Sequence, residues 1–307
     1  MATSVSDVYL DSLMANVDSS KIPNEMDVVI GGGALNGFYG LGTVTYLRRM
    51  VRKGSTSILR VSGTSIGGLL AAGLLSPVEE LDWVELGRDF EAIQRDLRKG
   101  KRLEAYRDIV TRHIDLLYPE VIPSPGNLFI TYWDSKEGKT VTRSDYVDRA
   151  DLVTALVRSA YIPFMSISSA KCENRYFDGV MPHMFPDHDR PVLYVSLLTL
   201  SKSMRAVVSG EANCLHRVMS GVLDASTFFV EGKSDMCSWA NKWGIHDCLA
   251  FGAAGMGSHL FYLLFDVVLR IYDALPEGVK KHQAVVGARD ILSYILNEVL
   301  YRLSGGG

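Results

Sequence analysis

Two glycine-rich turns, each set between an apolar β-like run and a helical pattern, narrow the possible folds of this chain more than any other feature. The first run, Val28-Val29-Ile30, stops at Gly31-Gly32-Gly33, and apolar residues at helical spacing follow over about 38–51. The second, over 58–61, ends in Ser62-Gly63-Thr64-Ser65-Ile66-Gly67-Gly68, and the small apolar residues of 69–75 suit a helix. Two strands joined by such a helix form a parallel pair. Their right-handed crossover puts both turns at the same, C-terminal edge of the sheet. Turns well separated in sequence can therefore meet.

The rest of the pattern fits an α/β chain. Residues 77–117 carry apolar positions at helical spacing and predict two or three helices. After the proline-rich break at 119–126, the runs 128–133 and 140–142 flank Lys136-Glu137-Gly138 as a hairpin does. A helix over 151–161 ends before Pro163, and Tyr176-Phe177 leads into a turn at Asp178-Gly179. Strands are predicted over 192–198 and 203–208. From 211 onward the chain reads as mainly helical, with apolar segments at 256–275 and 283–303. With 307 residues, 47% of them hydrophobic, one sizeable core is within reach. The expected organisation is an N-terminal extension over 1–26, a catalytic core over 27–210, and a mainly helical region over 211–307 packed on that core.

Charge and composition remove several functions. A net charge of -3 gives no electrostatic reason to expect nucleic acid, and the basic run 95–102 is short and interrupted by Asp96 and Leu97. Four cysteines without CxxC spacing point to free thiols in a reducing compartment. The start of the chain, with Asp7, Asp11 and Asp18, lacks the pattern of a secretory signal, so a cytoplasmic location is expected. Asp266, Arg270 and Asp273 interrupt the best candidate for a membrane span.

Gly63-Thr64-Ser65-Ile66-Gly67 fits G-x-S-x-G, the nucleophile elbow in which a sharp strand-to-helix turn exposes a serine hydroxyl. Gly63 and Gly67 flank it because side chains there would clash. Gly31-Gly32-Gly33-Ala34-Leu35-Asn36-Gly37 is suited to offer backbone N–H groups to a developing oxyanion. It lacks the G-x-G-x-x-G spacing of a dinucleotide loop, and no G-K-[ST] follows, so no nucleotide cofactor is expected. His183 and His188 with Asp187 and Asp189 match a metal site weakly, and no metal is expected.

These turns resemble the first two motifs of the patatin-like phospholipase family, a glycine-rich loop on the first strand and a serine elbow one βα unit later. The resemblance continues through Ser159-Ala160-Tyr161-Ile162-Pro163-Phe164, similar to the family's Ile-Pro segment, to Tyr176-Phe177-Asp178-Gly179-Val180. It spans about 27–200. The chain departs from the family at Asn36, where Arg or Lys is usual, and at Val180, where Gly or Ala is usual.

The resemblance implies a three-layer α/β/α sandwich with a mainly parallel sheet. It also implies a lipid acyl hydrolase with Ser65 as nucleophile, Asp178 as base, an oxyanion hole at Gly32, Gly33 and Ala34, and supporting glycines Gly37 and Gly179. A carboxylate is ordinarily a weak base, so such a site must hold it close to the serine and away from bulk water. The implied substrate is a glycerolipid, reached at a membrane or lipid-droplet surface, with no cofactor. Two alternatives stay open: a Ser-His-Asp esterase using His183, His188 or His216, and a catalytically silent lipid-binding protein of the same fold.

Overall fold

A strand covered on both faces must be apolar throughout, and β1 (Glu25–Ile30) is buried at every residue after its first. In the computed structural model, which describes residues 5–33, 36–79, 106–161, 172–179, 181–187, 189–198 and 214–280, β1 lies near the middle of a seven-stranded sheet. It pairs in parallel with β2 (Ser57–Thr64) and β6 (Val192–Val195), and β2 pairs in parallel with β3 (Leu128–Asp134). Three antiparallel strands complete the sheet: β4 (Lys139–Arg143) and β5 (Tyr176–Asp178) on β3, and β7 (Cys237–Trp239) on β6. The fold is therefore α/β, with a mixed sheet whose four central strands are parallel.

β5 owes its place to a switch of partner along β3. β2 accompanies β3 only as far as the pair Thr64–Thr131, and β5 then takes up the same side from Tyr132, which pairs with Asp178. β4 occupies the opposite side from Ile130 to Asp134. The end of β5 thus sits in line with the end of β2.

Eight α-helices are described. Two of them, α2 (Gly37–Arg52) and α3 (Ile66–Leu75), follow β1 and β2, as the two βα patterns predict. The others are α1 (Val5–Met14), α4 (Tyr106–Leu117), α5 (Arg149–Ser159), α6 (Cys214–Glu231), α7 (Ile245–Ala274) and α8 (Glu277–Lys280). The core joins strand residues Val28, Ile30, Val61 and Ile130 to Leu47 of α2, Leu156 of α5 and Phe228 of α6. The α2–α6 crossing is close because both helices present glycine. A Cβ on Gly42 would stand 1.9 Å from the Val218 carbonyl oxygen, and one on Gly221 the same distance from that of Tyr39. At the N-terminus, Asp11 of α1 accepts hydrogen bonds from Arg49 at 2.7 and 2.8 Å and pairs with Lys53. These cations, Arg49 first, hold its carboxyl well below the usual range.

The region after 211 is not helical throughout. Cys237-Ser238-Trp239 forms β7 and extends the sheet itself, a strand too short to carry a readable alternation. The predicted strand over 203–208 and the predicted helices before Tyr106 lie outside the described residues.

At 30 residues, α7 is about 45 Å long, and its contacts trace a path across the C-terminal edge of the sheet. Phe251 meets Tyr194 of β6 edge-on with centroids 5.6 Å apart. A Cβ on Gly255 would stand 3.9 Å from Met181, just past β5. Arg270 donates to the Ser135 carbonyl, just past β3. None of the helices among the described residues is long and apolar enough to cross a membrane.

Candidate active site

Ser65 occupies the single residue between β2 and α3, with φ 56° and ψ -135°. A side chain with positive φ costs on the order of 1–3 kcal/mol and persists only where its surroundings enforce it. Here glycines allow the enforcement. A Cβ on Gly63 would lie 2.3 Å from the Gly67 carbonyl oxygen, and one on Gly67 would lie 2.5 Å from that of Gly31. The second contact also shows that the two glycine-rich turns touch.

Although Ser65 stands at the N-cap position of α3, its side chain makes no capping bond. Its hydroxyl instead donates to Asp178 Oδ2 at 2.5 Å, a short charge-assisted contact with no imidazole between the two groups. Ser65 and Asp178 are 6% and 7% exposed, so the pair is largely shielded from water yet reachable from one side. Asp178 is fixed from its own backbone, whose N–H donates to the Tyr161 carbonyl at 2.9 Å.

Ser159 joins the two halves of this pair. Its hydroxyl accepts from the Ser65 N–H at 2.9 Å and donates to the Thr131 carbonyl at 2.6 Å, while its own carbonyl accepts from the Gly179 N–H at 3.1 Å. Thr64 Oγ1 donates to the same Thr131 carbonyl at 3.2 Å. The elbow, α5, β3 and the turn after β5 are thereby tied through one fully buried serine. Sequence reasoning passed over Ser159 as part of a small-residue segment, since nothing in sequence spacing shows which hydroxyl faces a distant N–H.

The glycine-rich loop lies beside the elbow. Gly31 N–H donates to the Val195 carbonyl and Asn36 N–H to that of Gly33, both at 2.9 Å, so the loop is anchored to β6 and turns tightly into α2. The Asn36 amide donates to the Leu197 carbonyl at 2.9 Å, and its Oδ1 is buried without a hydrogen bond. Asn36 therefore braces the loop where a cation would be expected from the resemblance. Gly33 packs on Leu197, and Gly37 opens α2. Ala34 and Val180 lie outside the described residues. Ile66 opens α3, and its N–H has no acceptor within the helix.

Two buried groups accompany the pair. Tyr106 of α4 lies near Asp178 and Cys172; burial first, then the Asp178 charge, push its phenol above the usual range. Arg48 of α2 caps the far end of α3, donating to the carbonyls of Gly73 at 2.8 Å, Ser76 at 2.9 Å and Val78. Burial lowers its guanidinium to about 10, which leaves it charged at neutral pH.

The candidate histidines are placed elsewhere. His183 stacks on Phe129 at 5.3 Å and meets Phe185 edge-on at 5.5 Å, and burial lowers its pKa. His216 is exposed on α6, and His188 lies outside the described residues. Among the described residues, no cluster of His, Cys, Asp and Glu has the makings of a metal site.

A cavity of about 800 Å³ opens beside the glycine-rich loop, with Gly32 and Met181 on its wall together with residues of β6, β7 and α7. The chain matches no protein-family model, and no curated protein matches it.

Proposed function

We propose that this chain is a carboxylic ester hydrolase of the lipid acyl hydrolase type, working through a Ser65–Asp178 dyad on a patatin-like, three-layer α/β/α scaffold. The observation that carries this reading is the direct 2.5 Å bond from the Ser65 hydroxyl to Asp178 on a strained strand-to-helix elbow. The Ser65 hydroxyl makes no capping bond to α3 and is engaged with Asp178 instead.

In the proposed reaction Asp178 accepts the hydroxyl proton as Ser65 Oγ attacks the ester carbonyl carbon. The carbonyl oxygen becomes an oxyanion, for which the described N–H groups of Gly32, Gly33 and Ile66 would serve as donors. The Ser65 N–H is engaged by Ser159, which leaves the work to those neighbours. Collapse breaks the bond to the alcohol, which leaves with the proton held on Asp178. Asp178 then takes a proton from water as that water attacks the acyl-enzyme, and returns it to Ser65 Oγ as the Oγ–acyl bond breaks and the fatty acid leaves. The proton and the acyl group are both accounted for without a cofactor.

The apolar side chains exposed along α7, among them Met256, Leu260, Leu264 and Val268, support action at a lipid surface. The enzyme would thus be cytoplasmic and peripheral to a membrane or lipid droplet, drawing glycerolipids from it.

The test is fatty-acid release from mixed phospholipid and neutral-lipid micelles by the wild type, Ser65→Ala and Asp178→Asn, each checked for folding. Release by the wild type alone supports the dyad. Release that survives Ser65→Ala refutes it, and a folded wild type that releases nothing favours the silent lipid-binding alternative.

A further inference from the structure

We propose that Arg158 is a positioning residue for the reaction, holding the strand that carries Asp178 at the angle from which its carboxylate meets the Ser65 hydroxyl; this assignment rests on the ester-hydrolase reading above. The need for such a hold lies in β5 itself. The strand is three residues long and, among the described residues, has β3 as its one ladder partner. The chain enters it through a tight turn in which the Arg175 N–H donates to the Cys172 carbonyl at 2.9 Å. Both central residues of that turn, Glu173 and Asn174, have positive φ, 51° and 56°. Asparagine tolerates this region and glycine occupies it freely, whereas a glutamate is strained there. A short strand entered through a strained turn depends on support from outside its own ladder.

The end of α5 supplies that support. Arg158 donates to Glu173 Oε2 from Nη2 at 2.5 Å and from Nε at 3.1 Å, so what the glutamate brings to its strained position is a carboxylate within reach of the helix. Arg107 of α4 adds a longer contact of 3.6 Å to the same carboxylate. The Arg158 guanidinium also lies over the Tyr176 ring, 4.1 Å from its centroid, and Tyr132 of β3 meets that ring edge-on at 5.3 Å. Side chains two positions apart in a strand point to the same face, as Tyr176 and Asp178 are. Fixing the Tyr176 ring therefore fixes the roll of β5 about its own axis, and with it the direction of the Asp178 carboxylate. Arg158 is 18% exposed in its side chain, so solvent screens this hold less than it would a surface pair. The next residue, Ser159, holds the Ser65 N–H. Consecutive residues of α5 thus set the base and the nucleophile.

Arg158→Met keeps the apolar stem and removes the guanidinium, and Arg158→Lys restores a charge without the fork. The control is Arg143→Met. That guanidinium also donates to a carboxylate, Asp151 at 2.8 Å, and lies over a tyrosine ring, Tyr146 at 5.8 Å, but it does so at the first turn of α5. Hydrolysis of p-nitrophenyl butyrate by the wild type and the three variants gives kcat and KM, and hydrogen exchange read by mass spectrometry follows residues 176–179. The expected result is a kcat at least about tenfold lower in Arg158→Met with KM within about twofold, since a misplacement of about 1 Å costs on the order of a hundredfold in rate. Arg158→Lys recovers part of the loss, and Arg143→Met keeps the wild-type kcat. The Asp178 and Gly179 amides, bonded to the carbonyls of Tyr161 and Ser159, exchange at least about tenfold faster in Arg158→Met and at the wild-type rate in Arg143→Met. A kcat within about twofold of wild type in Arg158→Met, a loss confined to KM, or an equal loss in Arg143→Met overturns the positioning role while leaving the hydrolase reading intact. Should the wild type hydrolyse no ester, the hydrolase reading falls and exchange alone decides on the hold. Faster exchange over 176–179 in Arg158→Met and not in Arg143→Met upholds it, and unchanged exchange in both refutes it.

Discussion

Removing the Ser159 hydroxyl should slow acylation by far more than the loss of stability explains. Ser159→Ala leaves the Ser65 N–H, at a residue 6% exposed, without its acceptor at 2.9 Å. An unsatisfied buried donor costs about 1–3 kcal/mol. The Thr131 carbonyl loses its 2.6 Å bond but keeps the one from Thr64, so that end of the link adds little. The Ser65 backbone, already at positive φ, then loses the bond that holds it there, and a shift of about 1 Å in a reacting atom costs on the order of a hundredfold in rate. The expected outcome is a kcat lower by about 10- to 100-fold with KM nearly unchanged. Urea denaturation gives the stability, and the burst of p-nitrophenol in single-turnover reactions gives the acylation rate. Thr56→Ala is the control, because that 4%-exposed hydroxyl donates to the Pro23 carbonyl at 2.7 Å, away from the elbow. It should lose comparable stability and acylate at the wild-type rate. Equal slowing in both variants, or none in Ser159→Ala, would refute the positioning role.

Three further outcomes follow from the packing and the ionisable groups. Gly63→Ala forces a Cβ to within 2.3 Å of a backbone oxygen and should destabilise the chain by about 2–4 kcal/mol, with activity lost in whatever folds, as read by calorimetry and ester hydrolysis. Arg48→Met strips the buried carbonyls of Gly73, Ser76 and Val78 of their donor and should cost about 2–4 kcal/mol in denaturant titrations; Arg48→Lys should recover only part of it, since one ammonium cannot reproduce the fork. Burial lowers His113 from 6.5 to about 4, so between those values the unfolded chain takes up a proton that the folded chain refuses. Stability should therefore fall as pH drops from about 6.5 to about 4, by up to about 3 kcal/mol, and His113→Leu should flatten that part of the profile. The lowered carboxylates Asp11, Asp134, Asp151 and Asp187 contribute their losses only as pH falls below about 4, outside that window.

The βα order around both glycine-rich turns was legible because each strand reads as a short apolar run and each helix as a period of 3.6, and the observed β1–α2 and β2–α3 follow it closely. The hairpin β3–β4 was equally plain, with its turn residues between two β-like runs. By contrast β7, three residues long, carries no period at all and exists because β6 offers it an open edge. The pairing of α2 with α6 was likewise hidden, since the helical glycines Gly42 and Gly221 acquire meaning only when two helices press together.

For the candidate site, Ser65 and Asp178 could be picked out as residues, because a pentapeptide with glycines at fixed offsets and an Asp-Gly turn are local patterns. That they meet at 2.5 Å depends on β5 taking over from β2 along β3, a substitution of one ladder partner for another across 113 positions of chain. No local preference encodes such a pairing; it is decided by backbone hydrogen bonds that must be satisfied once the sheet is formed. The same holds for Ser159 and for the contacts of Arg158 with Glu173 and Tyr176. The sequence determined the elements and the chemistry they carry, because those follow from conformational preference over a few residues. Only the tertiary structure decided which serine braces the elbow and which helix runs past the ends of β6 and β3, because those follow from packing between segments far apart in the chain.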